Sequence, residues 1–323
     1  MSDPGRPRAA VIFNPVKTNE RALRAAVAQE ETAAGWAPTL WFKTSIEDPG
    51  TDVAREALEA GASVVIVAGG DGTVRAVAET MRGSGVPLAL APAGTGNLLA
   101  RNLRLTLNNL PHAVHTAFTG DDRMIDIALA ELRREDGAVS KAAFLVMAGI
   151  GLDARMATAT SPELKRRVGW LAYADPIARS VLTNTRFPMD YRLGDSRRRS
   201  AQVHTVIVGN CGTLTANVLL LPDAVVDDGL LDVIVMRPRR LAGWARIGSR
   251  LAFNRFLHRT KTGRIILAGA PKHEALQYAQ SETMTARFES PQEVELDGDS
   301  FGPVTALRLT VDHLGLTIKV PAT

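Results

Sequence analysis

The sequence predicts an α/β N-terminal domain built on a parallel sheet, followed by a second, mainly antiparallel domain. Three observations carry this reading. Apolar, β-branched runs alternate with helical segments over roughly the first 105 residues, and such alternation gives a parallel sheet with helices on both faces. Beyond about residue 122, polar turns join strand directly to strand, the mark of antiparallel pairing. The chain has 323 residues, enough for two domains of roughly 100–200 residues each. The boundary falls near Asp121–Asp122, giving domains over 1–122 and 123–323.

The elements follow in order. Ala9–Phe13 is a short apolar strand ended by Asn14-Pro15, and Glu20–Ala33 has helical composition. Thr39–Phe42 reads as a strand, and Asp52–Ala60 as a helix stopped by Gly61. Ser63–Ala68 is apolar at nearly every position, as a strand buried on both faces must be. Thr73–Arg82 is a helix ended by Gly83, Val86–Ala91 a strand, and Leu98–Leu103 the start of another helix. In the second domain, Met124–Leu132 and Ala142–Met147 are strands around the polar turn Arg133–Lys141. The helical stretch Pro162–Asn184 comes next, then strands at Met189–Leu193, Gln202–Gly209 and Leu230–Met236. Leu241–Leu257 reads as a helix. The chain closes on strands at Gln277–Tyr278, Met284–Phe288, Glu293–Leu296, Thr305–Thr310 and Leu316–Val320.

Composition excludes several classes. A hydrophobic fraction of 46% with 22% charged residues rules out global disorder. The single Cys211 rules out an intrachain disulfide framework and a cysteine-rich zinc site, and it reads as a small core residue. No apolar run reaches the length of a membrane-spanning helix, and the start of the chain lacks the apolar core of a secretory signal. The expectation is a cytosolic protein. A net charge of +4 is too mild to call for nucleic acid. The charge is unevenly spread, however: Val233–His273 holds ten Lys or Arg and no acid. There Trp244, Phe253 and Phe256 interleave with Arg246, Arg250, Arg255 and Arg259. Such a segment suits peripheral contact with an anionic membrane at its inner face; a solvated helix docked by its apolar side is the other reading.

Two loops carry the chemistry. The strand ending at Ala68 runs into Gly69-Gly70-Asp71-Gly72-Thr73 and then a helix. Glycines let backbone N–H groups approach a phosphate, and the helix start favours anions. Asp71 among phosphates requires a bridging cation, which points to a magnesium-nucleotide; a capped tight turn is the alternative. Pro92-Ala93-Gly94-Thr95-Gly96-Asn97 follows the next strand, with Asn97 a natural N-cap. Two such loops on adjacent parallel strands place two anion sites at one sheet edge. Lys17 follows Asn14-Pro15 closely and could reach a phosphate; an exposed lysine after a strand is the other reading. Glu295, Asp297 and Asp299 alternate, so a continued strand puts them on one face, whereas Asp-Gly-Asp otherwise marks a turn. His112 and His115 share a helix face without forming ligand spacing.

These loops resemble the diacylglycerol kinase catalytic family, which includes bacterial lipid kinases and sphingosine kinases. Further motifs extend the likeness: Asn14-Pro15, Gly149-Ile150-Gly151-Leu152-Asp153-Ala154, Pro222 to Asp232, and Leu296-Asp297-Gly298-Asp299. The resemblance implies an NAD kinase/diacylglycerol kinase-like α/β domain, a β-sandwich-like second domain and a site between them. It implies an ATP-dependent lipid kinase of phospholipid biosynthesis. ATP would lie near Asn14, Lys17, Thr44, the loop Gly69, Gly70, Asp71, Gly72, Thr73, Val74 and Arg75, and then Gly94, Thr95 and Asn97. Asp71 would organise Mg2+ and phosphates, and Asp299 would be the general base. A structural Mg2+ would be held by Asp228 and the carbonyls of Val225 and Leu230; Asp228 as a turn residue beside Gly229 is the other reading. The partners implied are ATP and a lipid substrate; whether the chain forms a homodimer stays open. Three departures stand out: Asp299 where the family has Glu, Leu98 where many members have Asp, and no Gly-rich run in Thr213–Leu219. A non-catalytic nucleotide- or lipid-binding relative and an NAD kinase stay open as alternatives.

Overall fold

The computed structural model describes residues 5–151, 186–213, 220–237 and 276–322. The helices expected at 162–184 and 241–257, most of the basic segment 233–273, and Leu152-Asp153-Ala154 lie outside the described residues. The described chain forms two compact units, residues 1–127 with 312–323 and residues 128–311.

The first unit is built on parallel strands β1 (Arg8–Phe13), β2 (Ala37–Lys43), β3 (Val64–Ala68) and β4 (Leu88–Leu90), in the order β2-β1-β3-β4. All five residues of β3 are buried, as its unbroken apolar run requires. Helices α1 (Glu20–Ala34), α2 (Thr51–Glu59) and α3 (Asp71–Met81) connect these strands. Asn19 caps α1 by accepting from the Ala22 N–H, and Gly35 ends it at φ 65°. Asp48 starts α2 by accepting from the N–H groups of Gly50, Asp52 and Val53. Beyond β4 come the short α4 (Leu98–Asn102) and α5 (Leu110–Thr119).

Among the expected elements, only the helix face shared by His112 and His115 anticipates α5. Asn109 caps it, and Val114, Ala117 and Phe118 join Leu23 and Val27 of α1 in one core. Phe118 also meets Trp36 at 4.9 Å between ring centroids.

The second unit is a mainly antiparallel sheet. Its strands are β5 (Asp121–Arg133), β6 (Val139–Phe144), β7 (Met147–Ile150), β8 (Phe187–Leu193), β9 (Arg199–Val203), β10 (Thr205–Gly209), β11 (Leu231–Met236), β12 (Leu276–Ser281), β13 (Thr283–Leu296) and β14 (Asp299–Val320). The pairing β12-β11-β10-β7-β13-β14 is antiparallel throughout. β13 also pairs with β8, and β8 with β9. Two pairs of expected strands fuse. β13 runs through 288–293 with register shifts at Arg287/Gln292 and Val294/Glu295. β14 runs through the bend at Leu314, which has φ 54°. Bulges of this kind turn a strand without ending it.

The division of the chain differs from the sequence expectation, which assigns all of 123–323 to the second domain. The last residues return to the first unit because Ile318 of β14 pairs in parallel with Leu88 of β4. The return is anchored at its start. The fully buried Asp126 accepts from His313 Nδ1 and from the Leu314 N–H, both at 2.8 Å.

Ile318 is completely buried. Ile318→Ala is expected to lower stability by about 2–4 kcal/mol. Amide exchange should speed up at Leu88–Leu90 of β4, read by mass spectrometry. Unchanged exchange there would show that the first unit does not depend on its C-terminal strand.

Candidate functional site

Because β1 to β4 are parallel, their carboxyl ends share one edge, where ligands of open α/β sheets bind. The residues singled out in the first half of the sequence meet there. The Asn14 N–H donates to the Ala68 carbonyl at 2.8 Å, and the Thr18 hydroxyl donates to the same oxygen at 3.0 Å. Asn14 Oδ1 accepts from the N–H groups of Val16 and Lys17, which shapes the turn after β1. Buried Thr44, just past β2, donates its N–H to the Phe13 carbonyl at 3.0 Å.

Gly69, Gly94 and Gly96 are sterically required, whereas a Cβ on Gly70 would meet only the movable end of Lys17. A Cβ on Gly94 would lie 2.9 Å from Gly70 Cα, and one on Gly70 would lie 2.8 Å from Lys17 Nζ. One on Gly69 would meet Thr73 at 2.8 Å, and one on Gly96 would collide with Asp71 Oδ2. The loops therefore pack backbone on backbone, with a hydrogen bond from the Ala93 N–H to the Gly69 carbonyl. Lys17 is exposed and holds its amine over this contact. Thr95 is exposed at the tip of the second loop. Gly70 is the N-cap of α3 and supplies no side-chain acceptor to that helix start. A helix N-terminus of this kind favours an anion.

Asp71 sits at the centre. Its Oδ2 accepts from the Asn97 N–H at 3.0 Å, and its Oδ1 from the Leu98 N–H at 2.6 Å. It therefore starts α3 and caps α4. Burial pushes its carboxyl above the ordinary value, against the N–H bonds and the charge of Lys17. The cap expected from Asn97 is not made. Asn97 has φ 48°, and its side chain folds back to accept from the Gly94 N–H and donate to the Gly94 carbonyl. Leu98 is buried, so its departure from the family pattern serves packing. Within α3, Thr73 is buried and the Arg75 guanidinium lies 3.6 Å from Glu79.

In the second unit, Asp297-Gly298 is the tight turn between β13 and β14, with φ 50° and 89°. Of the two readings of Glu295, Asp297 and Asp299, the turn is the one found, so the three do not lie on one continued strand face. Buried Asp297 accepts from the N–H groups of Leu145, Val146 and Met147 at 2.7–2.9 Å. Asp299 opens β14 and is exposed. Asp228 is exposed and accepts from the Leu230 N–H at 3.0 Å, and Val225 beside it is also exposed. Asp232 follows in β11. Burial pushes its carboxyl up to about 6 against the Gln280 hydrogen bond, and the charges of Asp228 and Asp223 add to the rise. Among the described residues no three His, Cys, Asp or Glu side chains come together as a metal site. A cation here would need backbone carbonyls beside Asp228. Cys211 is fully buried and burial drives its thiol far up, which makes it the inert core residue expected. His115 pairs with Glu30 at 2.9 Å.

The loops and the β-rich second unit have counterparts in known proteins. Residues 8–130 match the diacylglycerol kinase catalytic domain. Residues 146–314 match the YegS C-terminal NAD kinase beta sandwich-like domain. The chain belongs to the diacylglycerol kinase catalytic-domain family. A protein of Pseudomonas aeruginosa (strain UCBPP-PA14) named "Probable lipid kinase YegS-like" is 31% identical over 244 residues, covering 72% of this chain and 74% of its own length. A protein named "Diacylglycerol kinase" from Bacillus subtilis (strain 168) is 27% identical over 248 residues, covering 75% of this chain and 78% of its own. The fold agrees. A crystal structure of a diacylglycerol kinase from Bacillus anthracis str. Sterne superposes with a TM-score of 0.69 at 21% identity, covering 98% of each chain. Diacylglycerol kinase-family architecture, an N-terminal α/β domain with a C-terminal β-sandwich-like domain, thus describes the chain. No helix among the described residues is long and apolar enough to cross a membrane.

Two outcomes follow from the carboxylates of Asp71 and Asp232. Asp71→Asn replaces one acceptor oxygen by an amide that cannot accept from the α4 N–H groups. It should cost about 1–3 kcal/mol in a denaturant melt, and a melt identical to that of the parent chain would show that the cap contributes nothing. Asp232 keeps its proton to a higher pH in the folded chain than in the unfolded one. Its contribution is therefore fully present below about pH 4, and is lost as the pH rises through about 6. In metal-free buffer Asp232→Asn should flatten that slope and gain stability at pH 8. An unchanged pH profile would show that this carboxyl titrates normally.

Proposed function

We propose that the chain is an ATP-dependent lipid kinase that transfers the γ-phosphoryl group to the hydroxyl of a diacylglycerol-like lipid. One observation carries this reading: two glycine loops lie backbone on backbone at the carboxyl edge of the parallel sheet, beside an α3 N-terminus without a side-chain cap and under the Lys17 amine. That arrangement suits a polyphosphate. The relatives' names supply the substrate class.

In this reading the triphosphate lies along Gly69 to Arg75 and Gly94 to Asn97. Asn14 and Thr44 position the nucleotide, and Lys17 and Thr95 reach its phosphate oxygens. Asp71 holds the second loop in place by its two N–H bonds, and its charge faces the site where Mg2+ would bind. Magnesium supplies charge neutralisation on the transferred group. Asp299 accepts the proton of the lipid hydroxyl. That oxygen forms the new bond to the γ-phosphorus while the bond to the ADP oxygen breaks, and ADP leaves. Asp228 and the carbonyls of Val225 and Leu230 would hold a structural Mg2+, which the accumulated charge of Asp223, Asp228 and Asp232 supports.

A second reading has its own observation. Both Asp71 oxygens are engaged by α4, and the base position carries the shorter Asp299, so a non-catalytic nucleotide-binding relative is the alternative.

The test is turnover of labelled ATP with diacylglycerol in detergent micelles, and with NAD as the competing acceptor. Labelled phosphatidic acid is expected. Asp299→Ala should lower kcat by about 10²–10⁴-fold with the ATP Kd unchanged. ATP binding without transfer to any lipid would favour the second reading, and transfer to NAD would replace the substrate class.

A further inference from the structure

The outer face of the second unit's sheet holds a cavity of about 460 Å³ that the nucleotide reading leaves unused. Its floor is β8, β13 and β14. Met284, Ala286 and Phe288 of β13 point into the core, so the residues between them, Thr285 and Arg287, face outward. The register sets Arg192 of β8 and Arg308 of β14 on either side of Thr285, and Asp190 opposite Arg287. Arg133, at the end of β5, lines the same cavity.

The acids on this face are already taken. Asp190 is bound by Arg198 at 2.7 Å and by the Ser200 hydroxyl at 2.5 Å. Glu131 pairs with Lys141 at 3.4 Å. The Ser200 hydrogen bond, then the charges of Arg198 and Arg287, hold the Asp190 carboxyl below its ordinary value. Arg133, Arg192 and Arg308 are left without a carboxylate partner among the described residues. Arg192 and Arg308 lie two strands apart across Thr285, about 10 Å between backbones, a span their long side chains can close over one anion. The frame is fixed independently. The Thr305 hydroxyl donates to the Arg133 carbonyl at 3.3 Å, and Arg134 Nη1 donates to the Pro303 carbonyl at 3.1 Å.

We propose that this face is an anion site that takes a phosphate monoester, gripped by the guanidinium groups of Arg192 and Arg308, with Arg133 and Arg287 beside them. Guanidinium matches phosphate oxygens in a two-point geometry that an ammonium lacks. The volume is that of a small-ligand site, and strands hold the four arginines more rigidly than loops would. The inference does not depend on the nucleotide reading. The same chemistry comes from a lipid headgroup or from a soluble phosphate ester.

The full chain is tested in excess ADP, so that any phosphate site at the glycine loops is filled. One arm titrates glycerol 3-phosphate by calorimetry. The other measures co-flotation with phosphatidylcholine vesicles with and without phosphatidic acid. Binding in at least one arm is expected, weakened about tenfold or more by Arg192→Gln/Arg308→Gln. Arg133→Gln/Arg287→Gln should act in the same direction. Flotation with phosphatidic acid alone assigns a lipid headgroup, and calorimetric binding assigns the soluble ester. These side chains lie on the outer face, so melting temperatures should hold. If one double variant does not fold, the other decides. No binding of either probe by the parent chain, or binding unchanged in the folded variants, would overturn the site.

Discussion

The carboxylate of Asp71 begins one helix and caps the next. Its two oxygens take the first N–H groups of α4, 26 and 27 residues further along the chain. Everything at the sheet edge follows from that bond pair. It draws the second glycine loop against the first until Gly94 and Gly70 touch, and it leaves no room for a side chain at Gly96. It also releases Asn97 from capping, so that Asn97 can close its own loop on Gly94. The cost is a desolvated charge. Lys17 and the helix start answer part of it, and a cation with phosphates would answer more.

The second unit repeats the device. Asp297 sits in a hairpin turn and gathers three consecutive N–H groups from the corner between β6 and β7. In both units an acid beside a glycine holds the backbone where the next element begins, α4 in the first and β7 in the second. These two acids thus shape backbone, whereas Asp299 is exposed at the start of β14.

Much of the first unit is legible because its signals are local. β3 announces itself by β-branched residues with no polar break, and the loops after β3 and β4 by glycines that nothing else explains. α5 was equally present, as Leu110, Val114, Ala117 and Phe118 at helical spacing behind an Asn cap, but its histidines and threonines dilute the pattern. What stays hidden is long-range. Which N–H groups Asp71 caps depends on two loops meeting. That Asp297 serves residues about 150 positions earlier depends on the whole sheet. The fused strands β13 and β14 hide for another reason: Gly, Pro and positive-φ residues inside them read as turns, and in a bulged strand they are bends.

The return of β14 has a consequence for synthesis. The parallel sheet of the first unit includes a strand made only after the whole second unit, because Ile318 lies beside Leu88. While the ribosome is still producing the second unit, β4 presents an unpaired edge, and Asp126 awaits the imidazole and N–H that will come from His313 and Leu314. The usual N-to-C order of domain folding is therefore interrupted. A chain that stops before His313 leaves β4 without its outer neighbour and Asp126 without those two donors.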